Sequence, residues 1–306
     1  MTNTLDDFAR FAQLISSTFS SVPQFAPTSE TANSVQVERG IVFARSMNDP
    51  KHWQSSSVER LIELSTAPTL PRITIVDRHG HTRPVYRPLL TYCWLQTFSR
   101  AYEALPRAEF GRWEESIRAW CDVLEATIGD FEWPIDAIPA SLGSRASEVA
   151  WAALTLHVAG KVFVRDAFTD FAADTFGRFT KRQRETGPFF ESTGSDNPET
   201  NWYHELLTLH AAASFAVQAE DRAVAKSVAR ATAYHAANTQ PDHATHQPWA
   251  LFAFIWNQST RPLAEQILHA SATQETNSNH ISLMLLADAL YCLRLFIPTE
   301  PSETTP

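Results

Sequence analysis

The chain has 306 residues and a formal net charge of −9, with 44% hydrophobic and 19% charged residues. This length allows one large domain or two small ones with a substantial buried core. The negative charge repels phosphate, so nucleic acid and anionic membrane surfaces are not expected partners. No run of about 18 apolar residues occurs, and the N-terminal segment is acidic where a signal peptide is basic. A soluble, cytoplasmic protein outside the membrane is therefore expected.

Three cysteines lie far apart in apolar helical contexts, at Cys93, Cys121 and Cys292. An odd number at these spacings matches neither a disulfide framework nor a zinc-finger pattern, so buried thiols are expected. The sequence has no glycine-rich phosphate loop and no G-x-S-x-G elbow, which argues against a nucleotide cofactor and a serine hydrolase. No cofactor and no metal are predicted.

Apolar residues recur at helical spacing almost throughout the chain. The first helix is predicted at residues 4–20, and a linker follows at residues 22–33. Later helices are predicted at residues 34–46, 57–66, 88–104, 111–128, 145–163, 165–184, 200–218, 221–237, 247–257, 260–272 and 280–296. The segment "RITIVDRHGHTRPVYRP" alternates apolar and polar residues around His79-Gly80, which predicts a small β-hairpin near residues 72–87.

Short and long connections alternate between the later helices. If neighbouring helices are antiparallel, every second connection lies at the same end, so the long loops share one end of the fold. The sequence therefore predicts an all-α fold of antiparallel helical hairpins that form an α/α toroid or an incomplete toroid. Three parts are expected: an N-terminal helical segment packed on the main domain, the toroid-like domain, and a disordered tail, at residues 1–66, 67–298 and 299–306.

The segment "RFTKRQRETGPFFES" places Gln183, Gly187 and Phe189 in a Q-x3-G-x-aromatic arrangement. This arrangement resembles a signature of α/α-toroid proteins such as the terpenoid cyclases. The segment "NPETNWYHELLTLHAAA" is similar to loops that lead into helices of toroid-type polysaccharide lyases and related hydrolases. The resemblance covers roughly residues 175–260 and implies the fold more than an activity. The DxDD and DDxxD clusters of the cyclases and the D-x-C zinc-ligand pattern of protein prenyltransferases are missing.

The segment "NWYHELLTLH" invites comparison with the HExxH motif of zinc proteases. That motif needs histidines four residues apart on one helix face, whereas His204 and His210 are six apart. One zinc ion therefore cannot easily be held by both. Asn201, His204 and Glu205 lie on one polar stripe of the predicted helix. Either this stripe belongs to a capped amphipathic helix, or it contributes, with Tyr203, to a site.

The loop "TQPDHATHQP" presents Asp242, His243 and His246 at the same predicted end. An aspartate beside a histidine can orient the imidazole and raise its basicity, as a general base requires. Two histidines three residues apart could instead hold a metal with ligands from elsewhere, or only form hydrogen bonds within the loop. Pro248 is expected in the first turn of the following helix.

Several aromatic residues are also predicted at this end. Aromatic faces can stack on sugar rings, and they can equally pack on one another. Those chosen as candidate substrate-binding residues are Trp133, Phe189, Trp202 and Trp249. The histidines His157 and His235 lie on apolar helix stripes and are expected to be core residues with satisfied hydrogen bonds.

A carbohydrate-active enzyme is the first functional hypothesis. As a lyase it would remove a proton from an acidic sugar, with Tyr203 as proton donor and His204 or His243 as base. As a hydrolase it would use Glu205 and Asp242 as paired carboxylates. The candidate catalytic residues are Tyr203, His204, Glu205, Asp242 and His243, and the candidate binding residues are Asn201, Trp202, His246, Trp249, Phe189 and Trp133.

The sequence is also compatible with two other functions. A non-catalytic helical module could bind a small ligand, an oligosaccharide or a protein through the same loop-bearing end. A terpenoid-cyclase-like enzyme is the third possibility, which the Gln183 element motivates and the missing aspartate clusters weaken.

Overall fold

The computed structural model describes residues 2–20, 72–76, 82–86, 88–104, single positions between 111 and 122, and residues 143–189, 198–238, 248–273 and 280–297. These residues form an all-α fold with one pair of short strands. Helix α1 spans Thr2–Ser20, and strands β1 and β2 span Arg72–Val76 and Thr82–Tyr86. The later helices are α2 Pro88–Ala104, α3 Gly143–Phe163, α4 Asp166–Arg182, α5 Pro198–Gln218, α6 Arg222–Asn238, α7 Leu251–Trp256, α8 Arg261–Thr273 and α9 His280–Arg294.

The described helices fall into two sets by their burial, and from α3 onward the two sets alternate. In the inner helices α2, α3, α5, α7 and α9, long runs are buried on every side, at residues 91–98, 149–160, 204–216, 251–255 and 282–290. In the outer helices α1, α4, α6 and α8, buried residues recur every three or four positions, as expected for helices with one face on a core. Although the inner helices are apolar, no helix in the described part of the chain could cross a membrane.

The inner helices α2, α3, α5 and α9 run parallel to one another. Near the beginning of α3 and α5, the Ser147 Oγ and His204 Nδ1 atoms are 3.0 Å apart. Near the ends of the same two helices, Lys161 Nζ donates a hydrogen bond to the backbone oxygen of Gln218. Near the ends of α2 and α3 the Phe98 and Phe163 rings meet, and the contacts between α5 and α9 advance along both helices in the same direction. These four inner helices therefore begin at one end of the fold.

Short connections follow inner helices, and longer connections follow outer helices. The connections after α3, α5 and α7 comprise residues 164–165, 219–221 and 257–260, the last containing a 3-10 turn. The connections after α4, α6 and α8 comprise residues 183–197, 239–250 and 274–279. The predicted alternation of connection lengths is confirmed for these helices.

The predicted boundaries agree with the observed helices to within a few residues, except at α7. This helix begins at Leu251, so the prediction that Pro248 lies in its first turn is wrong. The Pro248 carbonyl instead accepts a hydrogen bond of 3.2 Å from the Leu251 N–H, which forms a turn ahead of the helix. The predicted helices at residues 34–46 and 57–66 lie outside the described residues, as do the bounds of the helix predicted at residues 111–128.

The two strands pair antiparallel, with Arg72 opposite Tyr86 and Val76 opposite Thr82. Branched residues favour the extended backbone of β1, whose sequence is RITIV. A two-stranded sheet is marginal alone, so its stability depends on the rest of the chain.

Helix α1 is the outer partner of α9 and also contacts α8. The rings of Phe8 and Phe296 lie 5.2 Å apart, and Arg261 forms an ion pair with Asp7. Helix α1 therefore packs on α8 and α9, while the predicted boundary after residue 66 lies outside the described residues.

Candidate functional site

Helix α5 is an inner helix, and over residues 204–216 it has no solvated polar face. His204, Glu205 and Thr208 are all buried, as are the apolar residues around them. The interpretation of this segment as a capped amphipathic helix is therefore wrong. The polar residues within positions 204–216 of α5 are buried, and their partners decide what each one can do.

His204 lies between Ser147 of α3 and the adjacent Tyr203. Its Nδ1 atom is 3.0 Å from the Ser147 hydroxyl oxygen, and its ring meets the Tyr203 ring edge-on at 4.9 Å. A hydroxyl on Nδ1 helps to fix the orientation of an imidazole. The side chain is 8% exposed, so it lies just beneath the surface of this end of the fold.

Tyr203 also contacts Trp249, which precedes α7. The two rings are perpendicular, with centroids 4.8 Å apart. Tyr203 and the neighbouring Trp202 are half-buried and pack against the core, while Trp249 is 8% exposed. We call Ser147, Tyr203, His204 and Trp249 the lip cluster, because they lie where inner helices begin.

Glu205 points away from the lip cluster. Its Oε1 atom accepts a hydrogen bond of 2.5 Å from the Phe189 backbone N–H and is 3.5 Å from His235 Nε2. Its Oε2 atom is buried and has no hydrogen-bond partner in the described part of the chain. Successive helix residues diverge by roughly 100°, so Glu205 and His204 contact different elements. The carboxylate therefore anchors the loop that follows α4.

That loop is held by Gln183, the first residue of the Q-x3-G-x-aromatic arrangement. Its Nε2 donates to the backbone oxygens of Gly187 and Ser227, at 2.6 and 2.8 Å. Its Oε1 accepts from the Ser227 hydroxyl at 2.6 Å and from the Arg230 guanidinium at 2.5 Å. Gly187 has a φ of 127° and lies against Tyr234. The motif thus fastens the loop to α6.

A buried polar cluster lies deeper among the inner helices, centred on Asp288 of α9. Its carboxylate accepts hydrogen bonds from the hydroxyls of Tyr92 and Ser214. It also lies 3.1 Å from His210 Nε2, and both side chains of this ion pair have zero exposure. The other ring nitrogen of His210 lies 3.2 Å from the Trp249 backbone oxygen. The cluster therefore joins α2, α5 and α9 to the lip cluster.

Two glutamines complete the surroundings of Tyr92. The side-chain amides of Gln96 and Gln218 both donate to its hydroxyl oxygen, at 3.1 and 2.9 Å. Burial, with the negative charge of Asp288 as a second cause, raises the pKa of Tyr92 well above its usual value. Burial likewise raises the pKa of Cys292 well above its usual value. Both groups are therefore neutral and act as hydrogen-bond donors.

The sequence analysis did not predict this buried polar cluster, although one feature of the sequence indicates it. Asp288 is the sole charged residue within the apolar run "ISLMLLADALYCL". A single carboxylate in a helix that is apolar all round requires a buried partner. His210 and Ser214, one turn apart on α5, supply it, although His210 was considered only as a zinc ligand.

The other predicted site residues fall into three groups. Phe189 is 2% exposed and packs in the core, so it offers no surface to a ligand in this structure. Asn201 lies in the first turn of α5. Trp133, Asp242, His243 and His246 lie outside the described residues. Within the described residues, no group of three or more metal-ligating side chains occurs.

His157 and His235 are buried in the core, as expected, but the expectation of satisfied hydrogen bonds is wrong for His157. His157 Nε2 is buried and lacks a hydrogen-bond partner among the described residues, and the ring packs edge-on against Phe215 at 5.1 Å. Burial, together with the positive charge of Lys161, lowers the pKa of His157 to about 4. The imidazole is therefore neutral in the folded protein at neutral pH. The cysteines Cys93 and Cys292 are buried free thiols, as predicted.

The lowered pKa of His157 predicts acid sensitivity. Between about pH 6.5 and pH 4 the unfolded chain binds a proton that the folded chain does not, so the free energy of unfolding falls as pH falls. We expect His157→Gln to remove a slope of up to about 1.4 kcal/mol per pH unit, measured by urea unfolding across this window. His269→Gln, at an exposed histidine of α8, is the control. Equal slopes in wild type and His157→Gln would contradict the assignment.

The structure thus brings Tyr203, His204 and Trp249 together and turns Glu205 away from them. The site has an imidazole with a fixed orientation, a phenol in contact with it and an aromatic wall. This combination can bind an apolar ring face and move a proton. No protein-family model, curated protein or solved structure matches this chain.

Proposed function

We propose that the chain forms an α/α toroid or an incomplete toroid. The inner helices contact one another in sequence, α2 with α3, α3 with α5, α5 with α7, and α7 with α9. The hydrogen bond from Tyr92 to Asp288 links α9 back to α2, as a closed inner ring requires. The outer helices α4, α6, α8 and α1 each pack on the inner helix that adjoins them. Parallel inner helices and buried inner faces support this arrangement.

We propose further that the protein is a carbohydrate-active enzyme whose site is the lip cluster. The observation that carries this proposal is the contact of Tyr203 with both His204 and Trp249 at the beginning of the inner helices. Aromatic side chains bind the apolar faces of sugar rings. The N-termini of parallel helices favour an anionic group, because their backbone N–H groups and dipoles are oriented toward it. A uronate combines both properties.

The lip cluster favours a lyase over a hydrolase. In β-elimination a base removes the proton from the carbon next to the sugar carboxylate. The electron pair of that C–H bond forms the new carbon–carbon double bond while the bond to the leaving oxygen breaks. His204 is the proposed base, Ser147 orients it, and Tyr203 protonates the leaving oxygen. A paired-carboxylate hydrolase needs Glu205 beside the substrate, whereas Glu205 holds the Phe189 N–H.

Other predicted residues keep their proposed roles in this reaction. Asn201, in the first turn of α5, would polarise the sugar carboxyl, and Trp202 would extend the aromatic wall. Asp242 and His243, with His246, remain a second candidate source of the base.

The expected activity is cleavage of uronate oligosaccharides with formation of an unsaturated sugar. We expect Tyr203→Phe and His204→Gln each to lower kcat by about 100- to 10,000-fold, the usual loss when an acid or base is removed. Absorbance of the unsaturated product under saturating oligosaccharide measures kcat directly. Ser147→Ala should have a smaller effect, since it only loosens the orientation of His204.

Matched substitutions away from the lip cluster control for general damage. Tyr234→Phe and His269→Gln make the same chemical changes on the outer helices α6 and α8. Their activity should equal that of wild type. The lyase proposal is rejected if the wild-type protein turns over no uronate oligosaccharide. It is also rejected if His204→Gln and His269→Gln have equal activity.

The second candidate function is a non-catalytic module that binds a sugar or a protein at the same end. The near-complete burial of His204 and Trp249 favours it, because a ligand would then touch mainly the half-buried Trp202 and Tyr203. Tight packing of Tyr92, Trp151 and His210 between the inner helices argues against a bulky terpenoid substrate. Calorimetric binding of an oligosaccharide that is never turned over would favour the module.

A further inference from the structure

The two ring nitrogens of His210 both face hydrogen-bond acceptors. Nδ1 lies 3.2 Å from the backbone oxygen of Trp249, and Nε2 lies 3.1 Å from Asp288 Oδ2. A carbonyl oxygen can only accept, so Nδ1 must carry a proton. A neutral imidazole has one N–H, and its other nitrogen would then direct a lone pair at the Asp288 carboxyl.

The surroundings of Asp288 decide where the second proton lies. The Tyr92 oxygen already accepts from the amides of Gln96 and Gln218, so its own proton points at Asp288 Oδ1. The hydroxyl of Ser214 donates to Oδ2. Both carboxyl oxygens therefore receive protons from neighbours, which is the environment of an ionised carboxylate. With Asp288 ionised, the proton between Asp288 and His210 belongs to Nε2.

We propose that His210 is held in the folded protein as a doubly protonated imidazolium, which makes it a positioning residue between Asp288 and the Trp249 backbone. The imidazolium satisfies both acceptors around it, whereas either neutral tautomer beside an ionised Asp288 leaves two lone pairs facing each other. Because Trp249 is the aromatic wall of the lip cluster, the buried ion pair fixes that wall. Only this last role rests on the proposed function.

The titratable groups around the His210–Asp288 pair are consistent with this charge. Helix α2 contributes Tyr92 and Cys93, and helix α9 contributes Tyr291 and Cys292, all close enough to Asp288 to interact with its charge. Burial raises the pKa of both tyrosines and both cysteines, so these groups are neutral. Helix α3 contributes the uncharged ring of Trp151, 5.8 Å away. Among the described groups around His210, the negative charge of Asp288 balances the imidazolium.

Nitrogen NMR of the full chain with ¹⁵N-labelled histidine tests the proposal. We expect the His210 ring to show two protonated nitrogens in the folded protein at neutral pH. The ring is assigned by its through-space cross-peaks to Trp151, so the assignment does not depend on a variant that folds. His157, whose pKa is lowered to about 4, supplies a neutral buried histidine in the same spectrum. A neutral signature for His210 would overturn the proposal.

Asp288→Asn provides the second measurement. Removing the carboxylate charge should convert His210 to a neutral ring and weaken the cross-peaks between the Trp249 and Tyr203 rings. A doubly protonated ring that persists in Asp288→Asn would overturn the ion pair. If Asp288→Asn does not fold, the wild-type spectrum still decides the protonation state. The nitrogen signals are read without ligand, so failure of the lyase assay leaves this result unchanged.

Discussion

Asp288→Ala is expected to lower the free energy of unfolding by about 3–5 kcal/mol, the loss found when one partner of a buried ion pair is removed. The substitution leaves His210 without its charged partner and the hydroxyls of Tyr92 and Ser214 without their acceptor. These groups are fully buried, so water cannot replace the lost hydrogen bonds without opening the inner helices. Urea unfolding followed by far-UV circular dichroism measures the change.

Asp174→Ala is the matched control for Asp288→Ala. Asp174 pairs with Arg178 one turn later on α4, at 2.8 Å, and both side chains are exposed. An exposed pair of this kind contributes only about 0.3–0.5 kcal/mol. If Asp288→Ala costs no more than Asp174→Ala, the buried cluster does not hold the inner helices together.

Gly187→Ala is expected to cost about 2–4 kcal/mol, since a backbone conformation reserved for glycine costs about 1–3 kcal/mol and overpacking adds to it. Gly187 has a φ of 127°, and an added Cβ would lie 2.6 Å from the Cβ of Tyr234 and 3.1 Å from the Arg230 carbonyl oxygen. Neither neighbour is the flexible end of a side chain. The loop would have to leave α6, which would break the hydrogen bond from Gln183. Thermal and urea unfolding both report the loss.

Gly177→Ala makes the same chemical change at a position where the added methyl group has room. Gly177 lies within helix α4, and an added Cβ meets no atom within 4 Å. Alanine should therefore raise the free energy of unfolding by about 0.5–1 kcal/mol through its better helix propensity. Opposite signs for the two substitutions are the expected result. A neutral Gly187→Ala would show that the loop tolerates a side chain and is not fastened as described.

Helix positions followed from the sequence because they depend on local spacing. The run from Pro88 to Ala104 was predicted at its observed limits, and the chain reverses at Val164 and Glu220 as the short connections required. Both of these residues have a φ of 55°, a left-handed conformation that ends a helix abruptly. The alternation of short and long connections then placed the beginnings of the inner helices at one end.

The partners of buried polar residues did not follow from the sequence. Helical spacing placed His204 and Glu205 on one stripe, but their neighbours come from α3, α6 and the loop after α4. Likewise His210 and Asp288 are separated by 78 positions. Periodicity determines which residues of one helix share a face, whereas the packing of several helices determines what that face meets. The error about the amphipathic face of α5 has the same origin.

The packing of α1 on α9 has a consequence for how the chain folds. The Phe8 and Phe296 rings meet although almost the whole chain separates them. A contact between residues so far apart in sequence closes a large loop of chain. Because closing that loop costs chain entropy, such a contact is expected to form late in folding. During synthesis α1 leaves the ribosome long before α9 exists, so its buried face, with Phe8, Phe11 and Ile15, has no final partner until the end. The docking of α1 on α9 is therefore expected to be a late step in the folding of these residues.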